Sequence, residues 1–126
     1  MTNLDPNVLD GFTGDLERWR HPLWRKIIYT PGVRYLTLHG LAWLLDAIAS
    51  YQRDRLLKMP KMQEMQFWTL DVDLEKHTSV LTCDDGDGKI VIRQEISFTD
   101  CNLPQVKIWL EQNEEGGLTA MLPSER

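Results

Sequence analysis

The chain has few of the residues that usually anchor chemistry. Among 126 residues there are only two cysteines, Cys83 and Cys101, and three histidines. The cysteines form no CxxC and have no histidine at zinc-binding spacing, so no disulfide framework or structural zinc site is encoded. Their simplest role is as buried thiols in a reducing compartment. GxGxxG, P-loop, GxSxG and HExxH patterns are all missing, which leaves dinucleotide, nucleotide-triphosphate, elbow-serine and zincin chemistry without a local signature. No apolar run approaches the roughly 20 residues of a membrane span. The opening MTNLDPNVLDGF lacks the basic and apolar regions of a secretory signal. A cytoplasmic protein with no membrane contact, no cofactor and no metal is expected.

A hydrophobic fraction of 42% with five tryptophans argues for a packed core rather than disorder. The length suits one domain. Residues 1–11 have no periodicity and read as a loose lead-in, leaving 12–126 as a single domain. Charge is divided along the chain. Residues 1–63 hold nine Lys/Arg and six Asp/Glu, whereas residues 64–126 hold five and thirteen. Such polarity favours steering of a partner, including a second copy.

Helical signals concentrate between Tyr29 and Gln52. Thr30 is a candidate N-cap, Pro31 suits the first helical position, and Gly40 suits a left-handed terminator. A second helix follows at once. Leu41, Leu44, Leu45, Ile48 and Tyr51 form its core stripe, and Asp46 is its only charge before Gln52. Asp15 to Arg20 suggests a helical turn ended by His21-Pro22, and Lys26 to Tyr29 an extended piece. Residues 54–63 suggest a connecting helical turn.

The second half switches to strand periodicity at Gln66–Val72, Ser79–Cys83 and Ile90–Phe98, with DDGDGK as a hairpin turn between the last two. Val106–Glu111 and Leu118–Leu122 suggest another hairpin across EEGG. The expected fold is α+β: an N-terminal helical segment with two consecutive helices packed on an antiparallel meander of about five strands. Trp43 and Trp68 are expected to meet between helix and sheet.

A lone carboxylate on an apolar helix must be paired, neutralised or used, which makes Asp46 the sharpest candidate. It is expected to be buried and bonded to a cation or backbone donor from Phe12–Lys26. With His21 or His39 it would make an acid/base pair, or with both a two-histidine, one-carboxylate metal set. Structural pairing of Asp46, a turn-bonding His21 and a capping His39 are the plainer alternatives. Asp84, Asp85 and Asp87 lack the remaining ligands of a calcium loop. Trp19, Trp24 and the arginines around them interleave aromatic and basic residues as single-strand nucleic-acid binders do. The net charge of −5 counts against that use.

One constellation goes further. Phe12-Thr13-Gly14, Trp19, His21-Pro22-Leu23, Tyr29-Thr30, Gly32-Val33, Tyr35-Leu36 and His39-Gly40 resemble a bacterial family. So do WLLDAIASYQ from Trp43, Trp68, Thr82-Cys83, Thr99-Asp100 and Leu122-Pro123-Ser124-Glu125. The family is catalogued as domain of unknown function 6876, and the resemblance spans about Phe12 to Glu125. It implies a short bacterial protein of a kind often carried on mobile elements, and implies no activity. The chain is one residue shorter before Trp43 and has Cys101-Asn102 where an aromatic and a proline are usual.

These features favour a non-catalytic binding or interaction module, expected to be a homodimer with a possible protein partner. Trp19, Arg20, His21, Tyr35, His39 and Asp46 form the candidate ligand- or partner-binding set. A small hydrolase-like enzyme using Asp46 with His21 or His39 is one alternative. A nucleic-acid binder using Arg18–Lys26 is the other.

Overall fold

Alternation of buried and exposed positions along residues 65–72 marks a strand with one covered face, and a sheet grows on both sides of it. A computed structural model describes residues 3–14, 16–54 and 56–126. Its helices are α1 (Pro6–Asp10), α2 (Pro31–Leu36), α3 (Ala42–Asp54) and α4 (Pro60–Glu64). Its strands are β1 (Trp19–Arg20), β2 (Ile27–Tyr29), β3 (Met65–Asp73), β4 (Thr78–Asp84), β5 (Ile90–Ile96), β6 (Gln105–Gln112) and β7 (Leu118–Met121). No helix among the described residues is long and apolar enough to cross a membrane.

The α+β class holds, but the five-strand antiparallel meander does not. One seven-stranded mixed sheet runs β1-β2-β7-β6-β3-β4-β5. β3, β4 and β5 do form a meander. The chain then returns past Pro104 and pairs β6 with the far side of β3, giving the 4-1-2-3 order of a Greek key. β7 pairs with β6, and β2 adds to β7 in parallel. The two extra strands have two and three residues, too few to show a period of two. Asp15 lies outside the described residues, and Trp19–Arg20 is strand rather than helical turn.

The two expected helices differ in detail too: there is one long helix, α3, preceded by the six-residue α2. Thr30 caps α2 by accepting from the Val33 amide at 3.4 Å, and Pro31 opens it. A wide turn, Thr37–Leu41, joins the helices. It takes its kink at His39 and at Gly40, whose φ of 101° suits a residue without Cβ.

Leu41, Leu44, Leu45 and Ile48 are buried against Trp68, Leu70, Leu81, Ile108 and Leu110, all on one sheet face. Trp68 is buried, and its ring neighbour is Tyr51 at 5.8 Å. Trp43 is half-buried against the same cluster. Between α3 and β3 lies a reciprocal amide pair. Gln52 Nε2 donates to Gln66 Oε1 at 2.8 Å, and Gln66 Nε2 donates to Gln52 Oε1 at 2.7 Å. The Ile48 and Met62 carbonyls and the Trp68 indole complete the network. A fully bonded buried amide pair fixes helix register against the sheet without leaving an orphaned donor.

Segments near both ends of the chain are tied into the body of the fold. Asn102 donates to the Leu4 carbonyl at 2.8 Å and accepts from the Leu4 amide at 2.9 Å. Buried Glu125 accepts from the Thr30 hydroxyl at 2.6 Å, the Gly32 amide at 3.1 Å and the Leu122 amide at 2.9 Å. Gly32 is required there, because a Cβ would lie 2.5 Å from Glu125 Oε1 and 2.6 Å from Leu122.

Cys83 and Cys101 are free and buried. Burial pushes the Cys83 thiol from 9.0 up to about 12, and raises Cys101 as well. Below pH 9 the Cys83 thiol holds its proton in both folded and unfolded chains. Between the two values only the unfolded thiol gives it up, so stability falls as pH rises. Urea melts at pH 8, 9.5 and 10.5 are expected to lose up to about 1.4 kcal/mol per pH unit more in the native chain than in Cys83→Ala. Parallel losses in the two proteins would contradict this.

Candidate functional site

The turn after β1 is organised by a histidine. The His21 amide donates to the Ile27 carbonyl at 2.9 Å, and the Ile27 amide donates to the Trp24 carbonyl at 3.0 Å. Pro22 has no N–H to donate, and the next two amides turn inward. Leu23 and Trp24 donate to His21 Nδ1 at 3.2 and 2.9 Å. A nitrogen accepting two amide protons carries no proton of its own, which fixes the Nε2–H tautomer. That N–H donates to Asp46 Oδ1 at 2.8 Å.

The pair is asymmetric. The His21 side chain is 3% exposed and the Asp46 side chain 64%. Asp46 therefore bonds a partner from Phe12–Lys26, as expected, but is not buried as expected. The reason is the helix period. Ala42, Asp46, Ser50 and Arg53 repeat at four, four and three residues and form the exposed stripe of α3. Small neighbours flank Asp46 because the stripe floors a cleft rather than filling a core.

The cleft has a volume of about 420 Å³ and is lined by His21, Leu23, Trp24, Asp46, Ala49, Ser50 and Arg53. The Arg53 guanidinium lies 5.6 Å from the Trp24 ring centre. The Ser50 hydroxyl donates back to the Ala47 carbonyl at 2.6 Å. Leu23, 86% exposed, overhangs the rim. The size falls within the range of small-molecule sites, and the few polar groups on apolar walls fit that pattern.

Of the candidate residues, only His21 and Asp46 line this cleft. The His39 ring lies against Tyr35 at 4.3 Å, and Tyr35 also meets Phe12 at 5.8 Å. The Tyr35 hydroxyl accepts from the Asp5 amide at 3.1 Å. His39 and His21 therefore do not converge on Asp46, and the metal set does not assemble. Among the described residues no group of three or more His, Cys, Asp or Glu could hold a metal ion. Trp19 stacks on Tyr29 at 6.4 Å and carries the Arg34 guanidinium at 4.3 Å. Arg20 donates to the Arg25 carbonyl and pairs with Glu115 at 3.0 Å. Much of the basic and aromatic N-terminal segment is thus engaged within the fold. Leu23, Ala49, Ser50 and Arg53 were missed as site residues, and Trp24 was given a nucleic-acid role. The 46, 50, 53 spacing is the sequence signal that points to the stripe.

The acidic hairpin is a separate feature. Lys61 pairs with Asp85 at 3.4 Å and with Asp87. The Asp87 hydrogen bond, chiefly, raises the Lys61 amine above its usual 10.5. The Asp87 amide, first among several donors, lowers the Asp85 carboxyl. Asp84 and Asp85 also accept amides within the turn, so a hairpin accounts for these letters.

A family model described as a family of unknown function, DUF6876, matches residues 4–126. The chain belongs to that family. Comparisons with curated proteins and with solved structures give no significant match.

His21→Ala would orphan two amides and unmake the turn, and is expected to cost about 2–3 kcal/mol. Asp46→Ala removes an exposed carboxylate and is expected to cost less than about 1 kcal/mol. Chemical melts of both variants check the ordering. Equal losses would mean that Asp46, not the turn, carries the stability.

Proposed function

We infer that this DUF6876 member is a non-catalytic binding module whose ligand site is the cleft beside Asp46. The observation that carries this is the state of His21. Both ring nitrogens are committed, one to two backbone amides and the other to Asp46. A general base needs a free lone pair within reach of a proton, and His21 has none to offer. A catalytic dyad holds its histidine by one nitrogen and presents the other; here the arrangement spends both and presents the carboxylate. Asp46 is thus a held anionic group on an apolar-walled cleft, which suits recognition better than turnover.

A nuclear magnetic resonance titration tests this with a neutral probe, 3-methylbutan-1-ol. Saturable shifts are expected at the Trp24 indole N–H and the Ala49 and Ser50 amides, with none at the Trp109 indole. Shifts scattered over the surface would remove the cleft. Hydrolysis of a p-nitrophenyl ester that disappears in Asp46→Asn would replace binding by the hydrolase alternative.

We also propose that the chain is a homodimer. Its support is the uncovered sheet face, where Phe67 and Trp109 meet edge to face at 5.2 Å beside Thr69, Val80 and Thr82. An antiparallel sheet with one wet face tolerates this, but half-buried aromatics there favour a second layer. Light scattering is expected to give a dimer mass at low ionic strength. Persistence of the dimer in 1 M salt would place it on this apolar face, and dissociation would place it on the polarised charges. A monomer at low salt removes the proposal.

A further inference from the structure

The cleft contains two opposite charges that do not meet. Asp46 and Arg53 are seven residues apart on α3. Seven residues make almost two full turns, so both side chains leave the same face, with about 10.5 Å of helix between their Cα atoms. Among the described residues the partner of Asp46 is His21, and Arg53 lies over Trp24. No ion pair joins Asp46 to Arg53. The wall between them is apolar, formed by Leu23, Trp24 and Ala49.

A helix that wanted only surface stability would place such charges at i and i+4, where they pair. Placed seven apart, each keeps a free side: Asp46 Oδ2, and the guanidinium donors not turned to the ring. A ligand that brings an ammonium to Asp46 and a carboxylate to Arg53 satisfies both. Arginine offers a planar fork for the carboxylate. His21 holds the acceptor for the ammonium in place, because its own ring is locked by two amides. A ligand with one charge satisfies one end only and leaves the other to water.

We propose that the cleft binds a small zwitterion with an apolar side chain, a free amino acid or a dipeptide. This rests on the cleft being the binding site. The ammonium sits at Asp46 Oδ2, the carboxylate at Arg53, and the side chain lies against Leu23, Trp24 and Ala49. Ser50, midway along the stripe, directs its proton to the Ala47 carbonyl, so its oxygen presents lone pairs to a ligand N–H.

The test is a titration of the full chain, followed at the Trp24 indole N–H, with four probes. L-leucine and leucyl-leucine carry both charges, 3-methylbutylamine lacks the carboxylate, and 4-methylpentanoate lacks the ammonium. At least one zwitterion is expected to bind ten-fold or more tighter than either single-charge probe. Whichever of leucine and its dipeptide binds tighter identifies the length the cleft spans. Asp46→Asn should weaken the zwitterion ten-fold and leave 4-methylpentanoate unchanged, and Arg53→Gln should do the reverse with 3-methylbutylamine. Both variants lie on the exposed stripe and are expected to fold. Single-charge probes binding as tightly as the zwitterions overturn the zwitterion assignment while the cleft stands. Failure of all four probes and of the neutral alcohol to move Trp24 overturns the cleft as well.

Discussion

The Glu125 side chain holds the two halves of the molecule together. Its two oxygens accept from the Thr30 hydroxyl, the Gly32 amide and the Leu122 amide. They thereby cap the first turn of α2 from a residue at the other end of the chain. An acidic side chain there also complements the positive end of the helix. The parallel pairing of β2 with β7 depends on the same approach, since Thr30 follows β2 directly and donates its amide to the Ala120 carbonyl at 3.1 Å. Gly117 permits the neighbouring contact, because a Cβ on it would run into the Lys26 backbone. Two glycines and one carboxylate thus hold β2 against β7, where β1 and β2 are too short to stand alone.

That closure positions the site. β1 has a place only because β2 is held in the sheet, and the His21 turn joins β1 to β2. The turn faces α3, whose own register is set by the Gln52–Gln66 pair on its opposite side. Asp46 and His21 meet at 2.8 Å as the result of two independent constraints, one on the loop and one on the helix. The pair reads as a clamp that presents a carboxylate, with the histidine on the inside and the acid on the outside.

The charge asymmetry between the halves has a partly local outcome. Lys61, at the end of the basic half, neutralises the acidic hairpin at Asp85 and Asp87. Arg20 likewise pairs with Glu115, whereas the Arg126–Glu111 pair at 2.8 Å lies wholly within the acidic half. Exposed pairs of this kind contribute little stability individually. They show that part of the polarity is offset within the fold, through Lys61 and Arg20.

The α+β class, the helix cap at Thr30-Pro31, the kink at Gly40, the DDGDGK turn and the last hairpin were all legible in the sequence. Each is a local event, governed by backbone dihedrals and by periodicity over a few residues. Family membership was legible as well, because it is a property of the residues themselves. What only the tertiary structure decided is everything that joins distant segments. β1 and β2 have no periodicity of their own and exist through pairing with β7. β6 pairs with the far side of β3 rather than with β5; its alternating burial would suit either neighbour, so the pattern alone does not choose between them. Asp46 looked buried because its neighbours on α3 are apolar, yet a helix has two sides and the sheet covers only one. The sequence determined which residues belong to the helix; the position of the sheet determined that Asp46, Ser50 and Arg53 face outward into a cleft.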